Sequence, residues 1–229
     1  MAFTIAPPRG VRTAGTGIVK TYIAGARIPF GAAVIRAGAG TVKPAILKDT
    51  DLTIGFALED EEEHLYPGFY EKYEPVPVAI SGTVNALIAA IDDYDLLAGD
   101  YLEHIDLTSG TMASGVGVLA EAGTHTGETR TTHTIAQLLE DLALKDETYK
   151  APSTTPTAGE STIAMNNGDP TIMGLHVGDY IIIRDSDGTT AQVNRVTAIT
   201  DTQLTVLIPI TVAAADYIHA VRQAEVRIL

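Results

Sequence analysis

The chain has no cysteine and no tryptophan. Without thiols there is no disulfide framework, no thiolate nucleophile and no cysteine-based zinc or iron-sulfur site, so stability has to come from packing and association. No apolar run approaches the roughly 20 residues that span a bilayer as a helix. The N-terminus also lacks the compact apolar core of a signal peptide, so neither membrane insertion nor secretion is expected. A third scarcity is local. The first forty-eight residues contain seven basic side chains and no acid, whereas the remaining 181 carry eight bases and twenty-nine acids. The net charge of −14 makes the bulk of the surface repel nucleic acid and anionic lipid, so neither is expected as a partner.

What is present is glycine, β-branched residues and short apolar stretches between turn signals, in a chain of 229 residues that is 45% hydrophobic. That pattern indicates mainly β structure with room for one large or two small domains. One theme recurs three times, at Ile28 to Gly38 (IPFGAAVIRAG), Leu96 to Asp106 (LLAGDYLEHID) and Leu175 to Asp185 (LHVGDYIIIRD). In each, a glycine suited to a positive φ precedes a strand that begins two residues later. The first two copies are followed by GFALE (Gly55 to Glu59) and GVLAE (Gly117 to Glu121), as two related halves of one barrel would be. Gly38 to Gly40 reads as a hairpin turn before Thr41.

The opening MAFTIAPPRGVRTAGTGIVK, with Pro7, Pro8 and three glycines, forbids a helix and reads as an extended arm over residues 1–20. Residues 21–149 read as a β-barrel or β-tulip-like domain. One short helix is expected there at Thr134 to Leu144, where Ile135, Leu138, Leu139 and Leu142 fall at helical spacing. A second, from Asn85 to Ile91, competes with a strand. The Pro/Thr/Ser-rich stretch 150–162 reads as a linker dividing the chain near residue 155. Residues 163–229 supply about five strands, enough for a small SH3-like or OB-like barrel.

Chemistry-bearing motifs are sparse. The acidic run at 59–63 could offer carboxylates to a hard cation, but adjacent residues point in different directions, and a solvated or partner-facing loop is the expectation. Asp185-Ser-Asp187-Gly188 resembles the start of a calcium loop but lacks its glutamate, so a hairpin turn is expected. The histidines at 64, 104, 125, 133, 176 and 219 show no zinc-ligand spacing. No nucleophile elbow or phosphate loop occurs, so no catalysis, cofactor or metal is expected. Aromatics gather in HLYPGFYEKYEP, where Tyr66, Phe69, Tyr70 and Tyr73 fall within ten residues, a composition that suits an interface or packing on the chain's own barrel.

The succession IPFGAAV (Ile28 to Val34), TVKPA (Thr41 to Ala45), IGFAL (Ile54 to Leu58) and VPVAISG (Val76 to Gly82) resembles the head-decoration, or capsid cement, proteins of tailed bacterial and archaeal viruses. The match covers roughly residues 15–125. The resemblance implies a β-barrel-like protein, usually a homotrimer, that is made in the host cytoplasm. On the virion it would bind the outside of the expanded head and lock neighbouring major capsid subunits together. On that reading Phe3, Ile5, Arg9, Arg12 and Lys20 are expected to contact the capsid, with Tyr66, Phe69 and Tyr70 at subunit or shell interfaces. A basic extended arm can add a strand to a partner sheet, and a trimer multiplies a weak contact. The alternatives are another virion subunit, of a tail tube or a receptor-binding head fibre, and, further off, a metal-dependent enzyme.

Overall fold

A computed structural model of the chain describes residues 17–45, 52–60, 64–89, 95–104, 117–121, 134–143, 156–165, 174–185, 190–212 and 217–229. The described residues form strands and turns and contain no helix. The first seven strands are β1 (Val19–Ala24), β2 (Ile28–Pro29), β3 (Ala33–Gly38), β4 (Thr41–Pro44), β5 (Thr53–Ala57), β6 (Phe69–Tyr70) and β7 (Pro75–Ala79). Five of them close a barrel in the order β1-β4-β3-β5-β7, and β2 pairs with β6 beside it. Next come β8 (Thr83–Ala89), β9 (Tyr101–His104), β10 (Leu119–Glu121), β11 (Ala136–Leu138), β12 (Thr162–Ala164), β13 (Tyr180–Arg184), β14 (Ala191–Thr200), β15 (Gln203–Val206) and β16 (Tyr217–Ile228). These nine form one sheet, β11-β9-β10-β8-β16-β13-β14-β15-β12, and a further pairing of β11 with β16 closes its first five strands into a second ring.

The two rings have the same connectivity. In each, the first strand pairs parallel with the third (β1 with β4, β8 with β10). The second pairs antiparallel with the third and the fourth (β3 with β4 and β5, β9 with β10 and β11). The fifth closes antiparallel on the fourth and the first (β7 on β5 and β1, β16 on β11 and β8). The repeat seen in the sequence is therefore two rings rather than two halves of one barrel. Gly31 and Gly99 precede the equivalent strands β3 and β9. The GFALE and GVLAE segments are not equivalent, since they fall on a fourth strand, β5, and a third, β10.

Both rings carry their insertion at the same step, between fourth and fifth strands: the aromatic segment in the first, and β12 to β15 in the second. This corrects the division expected near residue 155. Strands on both sides of it share one sheet, because the C-terminal half of β16 closes the second ring while its N-terminal half pairs with β13. The five C-terminal strands occur as expected from sequence, but the described residues of 163–229 close no ring of their own; they need β8 to β11.

The expected helix at 134–144 is replaced by β11 and an isolated bridge between Leu96 and Leu142. Ala136 and Leu138 are buried on one side of β11, clamped between β9 and β16, and that long-range pairing overrides the local helical spacing. Of the strand-or-helix alternative at Asn85 to Ile91, the described residues, through Ala89, lie in the strand β8. Val84, Ala86 and Ile88 enter one core cluster, and Leu87 and Ala89 the other. β13 is buried on both faces in the same way, with Ile181 and Ile183 against Tyr180 and Ile182. Burial on two faces explains the unbroken apolar runs Ala86 to Ala89 and Tyr180 to Ile183.

Six turns share one design: the fourth residue's N–H donates to the first residue's carbonyl, and the third has a positive φ. They are Pro29–Ala32, Tyr66–Phe69, Glu71–Glu74, Leu97–Asp100, Thr157–Glu160 and His176–Asp179, with bonds of 3.0–3.2 Å. In the last four, the fourth residue's carboxylate also accepts the first residue's N–H at 2.8 Å. In the Pro29 turn the first residue has no N–H to satisfy, and an alanine stands in the acid's place. The Gly-then-strand theme is this turn followed by β3, β9 or β13, with φ values of 81°, 107° and 102° at Gly31, Gly99 and Gly178.

Candidate interaction surface

Phe3, Ile5, Arg9 and Arg12 lie outside the described residues. Lys20 lies on β1 with its side chain exposed. The aromatic segment behaves differently from its expected contact role, because it packs inward. Phe69 and Tyr70 are buried, Tyr70 donates to the Leu58 carbonyl, and its ring lies 4.8 Å from that of Phe30. Phe69 meets Tyr180 of β13 edge to face at 5.7 Å. Tyr66 is half-buried beneath the guanidinium of Arg27, 4.6 Å from its ring centre, and Arg27 in turn forms a two-point salt bridge to Glu71. Phe69 and Tyr70 are core residues of this chain, because Phe69 packs on Tyr180 and Tyr70 on Phe30.

The two insertions thus dock on one another. Tyr180 donates a 2.8 Å hydrogen bond to the Gly68 carbonyl. Arg195 of β14 donates to the carbonyls of Gly178 at 2.7 Å and Pro67 at 3.3 Å, with its guanidinium 5.8 Å from the Tyr180 ring centre. Burial raises the Tyr180 phenol above its ordinary pKa, outweighing the opposing charge of Arg195. Beneath the loop, His64 lies between two carboxylates, with Nε2 2.6 Å from Asp60 and Nδ1 2.9 Å from Glu74. Burial pulls the imidazole pKa down, but hydrogen bonds and charge from Asp60 and Glu74 prevail and hold it above 6.5.

The other described histidines are dispersed. His104 on β9 contacts the Thr53 hydroxyl, His219 on β16 accepts from Arg184 at 2.8 Å, and His176 is exposed on its turn. Asp185 Oδ2 accepts from the N–H and hydroxyl of Thr190, linking the ends of β13 and β14, and the rest of the expected turn, 186–188, lies outside the described residues. Among the described residues no three histidine or acidic side chains converge as a metal site would require. A surface recess of about 390 Å³ runs along β12, and its carboxylate, Glu160, is engaged by the Thr157 amide.

What faces outward is the start of the first ring. β1 closes a barrel, yet Val19, Lys20, Thr21 and Ile23 are all exposed, and Ile18 just before it is exposed too. Val19, Thr21 and Ile23 share the outer face with Pro77 and Pro75 of the antiparallel neighbour β7. Lys43 on the adjoining β4 lies on the face of Thr41, which pairs with Ile23, and residues 17–45 contain no acid. Tyr73, 74% exposed, stands at the end of the same strand pair, its N–H on the Ala24 carbonyl. Sequence reasoning noted Tyr73 in the aromatic cluster and passed over it as a contact residue. The signal was available, since EKYE aligns with LAGD, TAGE and HVGD and puts tyrosine where those turns have glycine. Compared with known proteins, the chain matches no family model and no curated sequence.

Proposed function

We propose that this protein is a viral capsid decoration protein, which binds the outer surface of an expanded head and bridges neighbouring major capsid subunits. The observation that carries the reading is the outer side of β1: an apolar, acid-free strand face in solvent on a protein of net charge −14. The sequence resemblance over residues 15–125 points the same way, as does the mainly β, ring-based architecture. The basic segment that leads into β1, with Arg9 and Arg12, extends this chemistry toward a partner sheet rich in carboxylates. Self-association as a homotrimer would turn a modest contact into firm retention by avidity.

The test is cosedimentation of the purified protein with undecorated, expanded heads on a density gradient, scored as bound copies per capsomer. Saturable binding near three copies per three-fold site is the expected result. Absence of binding overturns the proposal and favours a tail or fibre subunit.

A further inference from the structure

Five of the six turns described above place glycine third, and the remaining one places Tyr73 there at φ 80°. A bulky L-residue in the left-handed region is strained relative to glycine, and such strain persists where the side chain serves a purpose. The purpose is not core packing, because Tyr73 is 74% exposed and its ring contact is with the Lys72 ammonium, 4.9 Å from its centre. Its position is fixed all the same. The turn is closed by the Glu74 carboxylate on the Glu71 amide at 2.8 Å, and Tyr73 donates its N–H to the Ala24 carbonyl at 2.8 Å. Ala24 donates to the Glu74 carbonyl at 2.9 Å, which extends the β1–β7 ladder past the Ile23–Pro75 pair. Tyr73 therefore stands at the end of the strand pair whose outer face carries Val19, Ile23 and Pro75. Among the described residues, the carboxylates of this turn are paired, Glu71 with Arg27 and Glu74 with His64, while Lys72 stands beside the ring and Lys43 of β4 lies on the face of Thr41, which pairs with Ile23.

We propose that the outer face of β1 and β7, anchored by Tyr73, docks onto an acidic protein surface with an apolar seat for the tyrosine ring. Resting on the function proposed above, that surface is the outside of the capsid subunit. An exposed aromatic on a turn whose backbone is held, with Lys72 beside it and Lys43 on the same side, has the character of an interface hot spot, and the lysines select a partner of negative charge.

The experiment compares the full-length protein with Tyr73→Gly in head cosedimentation and in thermal unfolding. Glycine relieves the strained φ and removes the ring, so the melting temperature should rise by about 2–4 °C while head affinity falls roughly tenfold or more. Tyr73→Asn, which also tolerates a positive φ, should lose affinity likewise, and wild-type binding should weaken as salt is raised. If wild-type protein binds heads and Tyr73→Gly binds equally well, the docking face is overturned and the proposed function stands. If the variant is less stable as well as weaker, the ring serves the fold and the inference is likewise overturned. If wild-type protein fails to bind, the proposed function falls and this inference with it.

Discussion

The Tyr180 hydroxyl hydrogen-bonds the carbonyl of Gly68, 112 residues earlier in the chain, and a Cβ at Gly68 would lie 2.5 Å from that hydroxyl. This contact joins the insertions of the two rings. Tyr180→Phe should cost about 1 kcal/mol, since the Gly68 carbonyl keeps its second donor, the Phe30 amide. The raised phenol pKa gives the bond a pH signature. Above roughly pH 10 the unfolded chain loses the Tyr180 proton while the native state retains it, so native stability falls as pH rises further. Denaturant titrations between pH 8 and 11 should show a steeper alkaline loss for wild type than for Tyr180→Phe; identical slopes would rule out this assignment.

His64 gives the opposite end of the pH range. Its native pKa is raised above 6.5 by Asp60 and Glu74 against the pull of burial, so its contribution is complete below about pH 6.5 and is lost as pH rises through the native value. The difference in melting temperature between wild type and His64→Gln should therefore be largest near pH 6 and shrink toward pH 9. A constant difference would mean that the imidazolium is not what the carboxylates hold.

Two glycines separate backbone cost from steric cost. Gly99 has a positive φ and open space around it, so Gly99→Ala should cost about 1 kcal/mol. Gly117 also has a positive φ, but a Cβ there would lie 2.6 Å from the Ala33 carbonyl oxygen and 2.8 Å from the Ala32 Cβ. Its carbonyl accepts the Ala33 amide at 2.7 Å, tying the two rings together. Gly117→Ala should therefore cost several kcal/mol, on the order of 3 or more. Equal losses in urea unfolding would contradict the packing at this junction.

Asn194, fully buried on β14, acts as a backbone substitute. Its side chain donates to the Ile208 carbonyl at 2.7 Å and accepts the Ile208 amide at 3.0 Å, pinning the segment after β15. Asn194→Ala leaves both groups without this partner in a buried site and should cost about 2–4 kcal/mol. Hydrogen exchange at the Ile208 amide offers a local check, and unchanged protection would refute the role.

What could be read from sequence was what local chemistry decides. The Gly31, Gly99 and Gly178 turns, the Gly38–Thr41 hairpin and the five C-terminal strands all depend on nearby residues. The errors lie where distant partners decide. Leu138 and Leu142 have helical spacing, but one is taken by β16 and the other by Leu96. Nothing near residue 155 announces that β16 returns to β8. In the aromatic cluster, composition suits an interface or packing on the chain's own barrel without telling inward from outward. Phe69 and Tyr70 are drawn in by Phe30 and Tyr180, and the backbone at Tyr73 turns its ring out.

Because β16 closes the second ring on β8, pairing residue 227 with residue 83, the two rings differ in when they can form. The first is encoded in one contiguous segment and can close while later residues are still being synthesised. The second must hold the edges of β8 and β11 open until β16 has left the ribosome, long after its other four strands. During that interval its unpaired edges are exposed to other chains, which makes slowed translation or truncation ahead of β16 the condition under which this protein would aggregate.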